Sequence, residues 1–197
     1  MAGLRVEAIE TLVEWDRFDL LGFFQSVGFH RSREMHLVWD LNHYPFRGRL
    51  TPVRVRDATP DDLVELTAID AEIFESARPN FFRAKLESAK KNGGTTLFLA
   101  AEFSGEVAGY LVADLFRGEF GIDEVRGVIE SFGVREKFQH RGVASEMMES
   151  LLTWLRGRGG AHVETVCRWN QWPLLQFFEY IGFRPSSRIC LEWRCAA

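Results

Sequence analysis

The sequence predicts a mixed α/β domain, and three observations carry that prediction. From residue 53 onward, apolar runs of strand length alternate with stretches whose apolar residues recur at helical spacing. Two of the runs are joined by Ser104-Gly105, which reads as a hairpin turn. A third run ends at Val134 and passes through a short loop directly into an amphipathic helix.

The elements follow in order. Val53–Arg56 reads as a short strand. Thr59-Pro60-Asp61-Asp62 then opens a helix, with a capping Thr, Pro in the first turn and acids near the positive end of the helix dipole. Leu63, Leu66, Ile69 and Ile73 continue it on one face. Residues 79–91 (PNFFRAKLESAKK) form a second helix, closed by Asn92-Gly93-Gly94. Residues 95–103 and 106–116 are the hairpin strands, 124–134 a further strand, and 145–156 (SEMMESLLTWLR) an amphipathic helix ending in glycines.

Composition narrows the function. The chain has 197 residues, 46% hydrophobic and 26% charged, the balance of a globular protein with a sizeable core. No apolar run approaches the roughly 18 residues of a membrane span. A net charge of −4 argues against a nucleic-acid-binding surface. Acids stand near the N-terminus where a signal peptide would carry bases, which predicts an unexported, cytoplasmic protein. Cys167, Cys190 and Cys195 are an odd set without zinc spacing, so no metal is expected and a reducing compartment fits.

The chain also repeats part of itself. An offset of 154 residues lays 20–41 (LLGFFQSVGFHRSREMHLVWDL) over 174–195 (LLQFFEYIGFRPSSRICLEWRC), and 12 of 36 positions are identical between 6–41 and 160–195. Each copy reads as a strand, a short apolar helix ending at Gly28 or Gly182, and a return strand beginning near Phe29 or Phe183. Residues 41–52, polar and holding two prolines, read as a linker.

The segment that carries chemistry is Val134–Glu146. A strand–loop–helix junction aims free backbone N–H groups at one point, and the helix dipole adds positive charge there, so the loop suits a phosphate or pyrophosphate. Gly142 lets backbone approach such a ligand without a Cβ in the way. An ordinary helix N-terminus with a solvated Arg explains the same residues. Neither the Walker pattern nor the dinucleotide fingerprint is present.

Gln139-x-x-Gly142-x-Ala144 after a strand ending in Val134 resembles the Q/R-x-x-G-x-G/A signature of the GNAT superfamily of acetyl-CoA-dependent N-acyltransferases. Asn170 followed by Leu174–Phe183 (LLQFFEYIGF) is similar to that family's second signature, and VRVRDATPDDLVEL resembles its opening strand and helix. The resemblance covers residues 51–197. It implies a mostly antiparallel sheet, splayed at its centre and flanked by helices, with acetyl-CoA as cosubstrate. The pyrophosphate would rest on the backbone of Gln139, His140, Arg141, Gly142, Val143 and Ala144. The pantetheine arm would pair with backbone at Phe132 to Val134, flanked by Asn170 and Phe177.

In similar enzymes a Glu on the strand before the loop acts as base, and the matching residue is Glu130. Strand alternation places Glu130, Phe132 and Val134 on one face. A carboxylate among apolar neighbours can hold a raised pKa; a strand Glu merely hydrogen-bonded there is the alternative. The family's usual Tyr acid falls on Phe178, so a water, Ser131, a residue outside these motifs or unassisted departure would serve the thiolate. His140 reads as a solvated loop residue, and Trp154, Trp169, Trp172 and Trp193 as core or edge packing. Glu119, Asp123 and Glu124 form either an acidic acceptor rim or a solvated loop. Cys167 reads as a buried strand residue.

Three segments are therefore expected: a partial repeat at 1–41, a linker at 42–50 and a complete domain at 51–197. The partial repeat would pack on the domain's sheet or pair with a second chain as a homodimer. Two functions fit. One is transfer of an acetyl group to a primary amine of a small molecule, peptide or protein, without nucleic acid or membrane as partner. The other is a catalytically silent protein of this fold that binds CoA or serves as an interaction module.

Overall fold

Residues 96–117 form the hairpin that their sequence predicts. Strand β4 (Thr96–Phe103) and strand β5 (Glu106–Arg117) pair antiparallel across Ser104 and Gly105, both at positive φ (54° and 82°), the two-residue turn that suits strand twist. The protein was described from a computed structural model covering residues 8–42, 52–74, 77–117 and 124–195. It falls into two compact units, Asp40–Glu164 and Met1–Trp39 with Thr165–Ala197.

In the larger unit β4 pairs antiparallel with β3 (Arg54–Asp57), and β5 with β6 (Val125–Val134). Strand β7 (Gly160–Arg168) lies beside β6 and is reached through helix α4 (Val143–Arg156), the crossover of a βαβ unit. Thr59 is the cap the sequence predicts. Its N–H and hydroxyl donate to Asp62 Oδ2 at 2.7 and 2.9 Å, and a 3₁₀ turn at Pro60–Asp62 leads into α2 (Leu63–Phe74). Helix α3 (Pro79–Lys91) follows with the predicted bounds.

Two cores result. On one face of the strands, Leu66 and Ile69 of α2 and Phe82 of α3 bury against Phe98, Ala100, Tyr110 and Val112. On the other, α4 buries Val143, Met147, Met148, Leu151, Leu152 and Leu155, one stripe of a strongly amphipathic helix. The helix begins at Val143, two residues earlier than its apolar pattern predicts.

The smaller unit holds β1 (Ala8–Glu14), α1 (Phe18–Ser26), β2 (His30–Asp40), α5 (Trp172–Ile181) and β8 (Arg184–Arg194). Strand β8 pairs antiparallel with both β1 and β2. The β2–β8 register is symmetric under the 154-residue offset: His30↔Glu192 maps onto Val38↔Arg184, Arg31↔Leu191 onto Leu37↔Pro185, and Met35↔Ile189 onto itself. The same offset relates the bond from Trp15 N–H to Ser187 O (2.9 Å) to that from Trp169 N–H to Arg33 O (3.1 Å). Gly182 (φ 120°) abuts the Trp39 indole, and Gly28 (φ 96°) abuts Trp193.

The two helices are not equally covered. Helix α5 buries Leu175, Phe178 and Ile181, whereas α1 buries none of its residues. Trp169 and Trp172 are exposed (51% and 68%), contrary to the core or edge packing read from the sequence, because they sit in the turn and first residue flanking α5 rather than on its apolar stripe. Cys167 is buried as expected. Glu119, Asp123 and linker residues 43–50 lie outside the described residues. Among the described residues no helix is long and apolar enough to cross a membrane.

Candidate active site

The site is built where β6 hands over to α4. After Val134 the chain makes a 3₁₀ turn at Glu136–Phe138, which the sequence did not signal, then passes through exposed Gln139, His140 and Arg141. His140 takes φ 60° and Gly142, the N-cap of α4, φ 87°. An L-residue at Gly142 would cost about 1–2 kcal/mol in backbone strain, so glycine is favoured there. The first bond of the α4 ladder runs from Glu146 N–H to Gly142 O at 3.0 Å. The N–H groups of Val143, Ala144 and Ser145 therefore precede the ladder and point out of the helix end, where the dipole favours an anion. Phe138 anchors the loop beneath, its ring 5.7 Å from Phe103, while Arg141 lies over Phe103. Gln139 Nε2 reaches back to Val134 O at 3.4 Å.

Strand β6 departs from simple alternation at Glu130. Ser131 pairs with Val112 and Ile129 with Ala113, so Glu130 is an extra residue, a β-bulge. Glu130 and Ser131 consequently turn toward the α2/α3 side, while Phe132 and Val134 stay on the α4 side. The expectation that Glu130, Phe132 and Val134 share one face is corrected by this bulge: period-two counting fails wherever a strand gains a residue.

On the α2/α3 side two polar clusters meet at the bulge. Lys85 Nζ of α3 lies 2.5 Å from Glu130 Oε2 and 2.6 Å from Asp114 Oδ2 of β5. Burial and the adjacent Asp114 carboxylate raise the Glu130 pKa above the ordinary value, against the pull of Lys85. Asp114 is lowered despite its burial, by hydrogen bonds with Glu130 and Lys85. Next to it, Arg78 Nη2 donates to Asp70 Oδ1 (2.5 Å) and to Ser131 Oγ (2.8 Å), and Tyr110 OH donates to Asp70 Oδ1 (2.7 Å). The Arg78 guanidinium is sandwiched between the Phe74 and Phe81 rings, 4.6 and 4.9 Å from their centroids. Burial pushes the Tyr110 hydroxyl well above the ordinary tyrosine value, so it keeps its proton.

The larger unit holds Glu130 on one face of β6, Phe132 and Val134 on the other, and the loop Gln139–Ala144 after the end of that strand. Asn170, exposed in the turn after β7, and Phe177, half-buried with its ring 5.8 Å from Phe178, belong to the smaller unit. Phe178 is fully buried. Sequence reasoning missed Lys85, Asp114, Arg78 and Tyr110, whose partners lie 8 to 53 positions away along the chain. A cavity of about 710 Å³ between Leu63, Leu86, Phe98 and Trp154 contains none of the expected site residues. Another of about 1190 Å³ in the smaller unit is bordered by Glu34, Trp169 and Asn170. Among the described residues no group of His, Cys, Asp or Glu is arranged to hold a metal ion.

Residues 62–183 match the acetyltransferase (GNAT) family, and the chain belongs to that family. Its fold is shared by solved structures of low identity. A transcriptional regulator from Bacillus halodurans C-125 aligns with a TM-score of 0.61 at 20% identity, over 68% of this chain and 94% of the other. A tandem GNAT protein from the clavulanic acid biosynthesis pathway gives 0.67 at 14% identity, over 96% of this chain but 64% of the longer one. AAC(6')-Iy, in complex with the bisubstrate analogue CoA-S-monomethyl-acetylneamine, gives 0.58 at 16% identity, over 67% and 90%. These likenesses establish a mixed α/β fold of mostly antiparallel strands flanked by helices.

Proposed function

We propose that this chain transfers the acetyl group of acetyl-CoA to a primary amine of a small molecule or of a peptide or protein. The observation that carries the reading is the β6–α4 junction. Gly142 stands at positive φ as N-cap, ahead of the three pre-ladder N–H groups of Val143, Ala144 and Ser145, in the Q-x-x-G-x-A segment at the end of a strand. A pyrophosphate fits that cradle, with Gln139, His140 and Arg141 beside it. The thioester arm would then run along Phe132–Val134.

At the bulge the acceptor nitrogen attacks the thioester carbonyl. An N–C bond forms, the C–S bond breaks with its electron pair on sulfur, and the amine proton passes to Glu130, directly or through water. A thiolate is a good enough leaving group to depart without a strong acid, since thiol pKa values lie near 8.5. This suits a chain with buried Phe178 where the family's tyrosine stands. The solved neighbours include aminoglycoside acetyltransferases, which supports a cationic amine as acceptor. An unexported, cytoplasmic location fits such small-molecule or peptide chemistry.

The symmetric β2–β8 register and the paired glycine–tryptophan contacts support reading 1–41 as a partial repeat of the domain at 51–197, joined by a linker at 42–50. The exposed apolar side chains Phe18, Leu20 and Phe23 of α1 support its use in packing or in a homodimer. Buried Phe178 also favours a second reading, a CoA-binding protein without transferase activity. Incubation with acetyl-CoA and a panel of aminoglycosides, polyamines and lysine peptides, read by mass spectrometry, separates the two. Acetylated product that disappears in Glu130→Gln supports the enzyme; CoA binding without product supports the silent form.

A further inference from the structure

We propose that a second copy of this chain pairs with the open edge of β1, strand to antiparallel strand, about a two-fold axis at Thr11. The inference rests on the homodimer reading of the smaller unit and deepens it to one strand and one register; it does not depend on acetyl transfer.

Three observations carry it. Within the smaller unit β1 has β8 along one side and, among the described residues, no strand along the other. Its counterpart under the 154-residue offset is β7, and that strand has β6 beside it. The repeat therefore has a pairing edge that one copy uses and the other leaves open. Trp15 N–H donates to Ser187 O at 2.9 Å, one step beyond the Glu14↔Arg188 pair. Alternation then turns the N–H and C=O groups of Thr11 and Val13 toward β8, and those of Glu10 and Leu12 toward the open side. Little blocks that side: β1 holds neither Pro nor Lys, and its register with β8 runs without a bulge.

A second copy fits this edge in one register. A two-fold axis perpendicular to the sheet keeps each face with itself, so even-numbered residues meet even-numbered ones. Centred on Glu10, the pairing sets Glu10 against Glu10; centred on Leu12, it sets Glu10 against Glu14. Both oppose like charges. Centres nearer either end pair only part of the strand. Centred on Thr11, all seven residues pair: Ile9 meets Val13, Glu10 meets Leu12 and Ala8 meets Glu14. Glu10 and Leu12 then exchange backbone hydrogen bonds with Leu12 and Glu10 of the other copy, and the two Thr11 side chains face each other at the axis. The neighbouring helix adds apolar area. Gly28, just after α1, abuts Trp193, the register partner of Ile9, so α1 lies on the Ile9 face. Ile9 is 47% exposed there, and α1 leaves Phe18, Leu20 and Phe23 in solvent. A copy added at β1 brings a second α1 to that same face, which gives both helices apolar surface to bury.

The test is sedimentation velocity of the whole chain over a concentration series, with circular dichroism to verify that each variant is folded. Wild type should form a dimer. Thr11→Lys and Thr11→Glu each place like charges face to face at the axis, and each should weaken the dimer about tenfold or more. An equimolar mixture of the two should restore it, because only the register centred on Thr11 sets Lys against Glu. Leu12→Pro removes an N–H that points away from β8, so it should leave β1 in its sheet and give a monomer. A dimer that survives all three variants overturns β1 as the interface while keeping the homodimer reading; a wild-type monomer overturns both. A mixture that stays monomeric while both variants are folded overturns the proposal as well. The measurement needs neither acetyl-CoA nor an acceptor, so the transferase reading stands or falls separately.

Discussion

Arg78 Nη2 meets Asp70 Oδ1 at 2.5 Å, and the Asp70 side chain has no exposure to solvent. The pair is completed by Tyr110 and Ser131 and covered by Phe74 and Phe81, so it ties the start of α3 to α2, β5 and β6 on the side facing the bulge. Removing one partner leaves a buried charge with incomplete compensation. Arg78→Met is expected to cost about 3–5 kcal/mol in urea unfolding. Arg78→Met combined with Asp70→Asn should recover part of that loss, because no ionised group is then stranded. A single-variant cost below about 1 kcal/mol, the range of exposed pairs, would show that the pair is merely solvated.

Asp62 makes a pH-dependent contribution to stability. Arg56 donates to both of its oxygens at 2.7 Å, chiefly lowering the Asp62 pKa from 3.8 to about 2, with further hydrogen bonds from Thr59. A depressed carboxylate stabilises the folded state above its unfolded pKa, and the stabilisation is lost as pH falls through the folded one. Stability should therefore decline between about pH 4 and pH 2 by on the order of 2 kcal/mol from this group. Asp62→Asn should remove that part of the acid dependence, seen by urea unfolding at stepped pH. An acid profile identical to wild type would contradict it.

Much of this fold was legible in the residues. Pro79 and Asn92-Gly93-Gly94 mark both ends of α3, Thr59 and Asp62 mark a helix start, and Ser104-Gly105 marks a turn. These signals are local, because caps and turns satisfy backbone groups within a few residues. The bulge at Glu130 was not legible, since alternation alone carries no record of an extra residue. Nor was the Lys85–Asp114–Glu130 cluster, which depends on α3 crossing β5 and β6. The loop at Gln139–Ala144 could be located, but the 3₁₀ turn that precedes it could not.

The glycine–tryptophan contacts predict a pair of related effects. A Cβ at Gly182 would come within 2.8 Å of Trp39 Nε1, whereas at Gly28 the nearest atom, Trp193 Nε1, is 3.2 Å away. Both positions have positive φ, so Gly182→Ala and Gly28→Ala should each cost about 1–2 kcal/mol from backbone strain. The loss in Tm should be larger for Gly182→Ala, because Trp39 is fully buried and cannot yield. Equal losses, or a larger one at Gly28, would go against the packing described.

The cysteines should differ in reactivity. Burial pushes the thiols of Cys167 and Cys190 up to about 11, whereas Cys195 is only half-buried. Native protein at pH 8 should react quickly with one equivalent of a thiol reagent, and Cys195→Ser should abolish that phase. The other two thiols should react only on unfolding.

The central claim is a donor site at the β6–α4 junction, and isothermal titration of the whole protein with acetyl-CoA tests it most directly. Wild type is expected to bind one equivalent, and Gly142→Glu, which places bulk and negative charge at the helix N-terminus, is expected to bind none. A far-UV circular dichroism spectrum and Tm of the variant verify that it is folded, given the positive φ at that position. Binding lost in a folded Gly142→Glu protein supports the donor site; no binding by wild type, or equal binding by both, contradicts it.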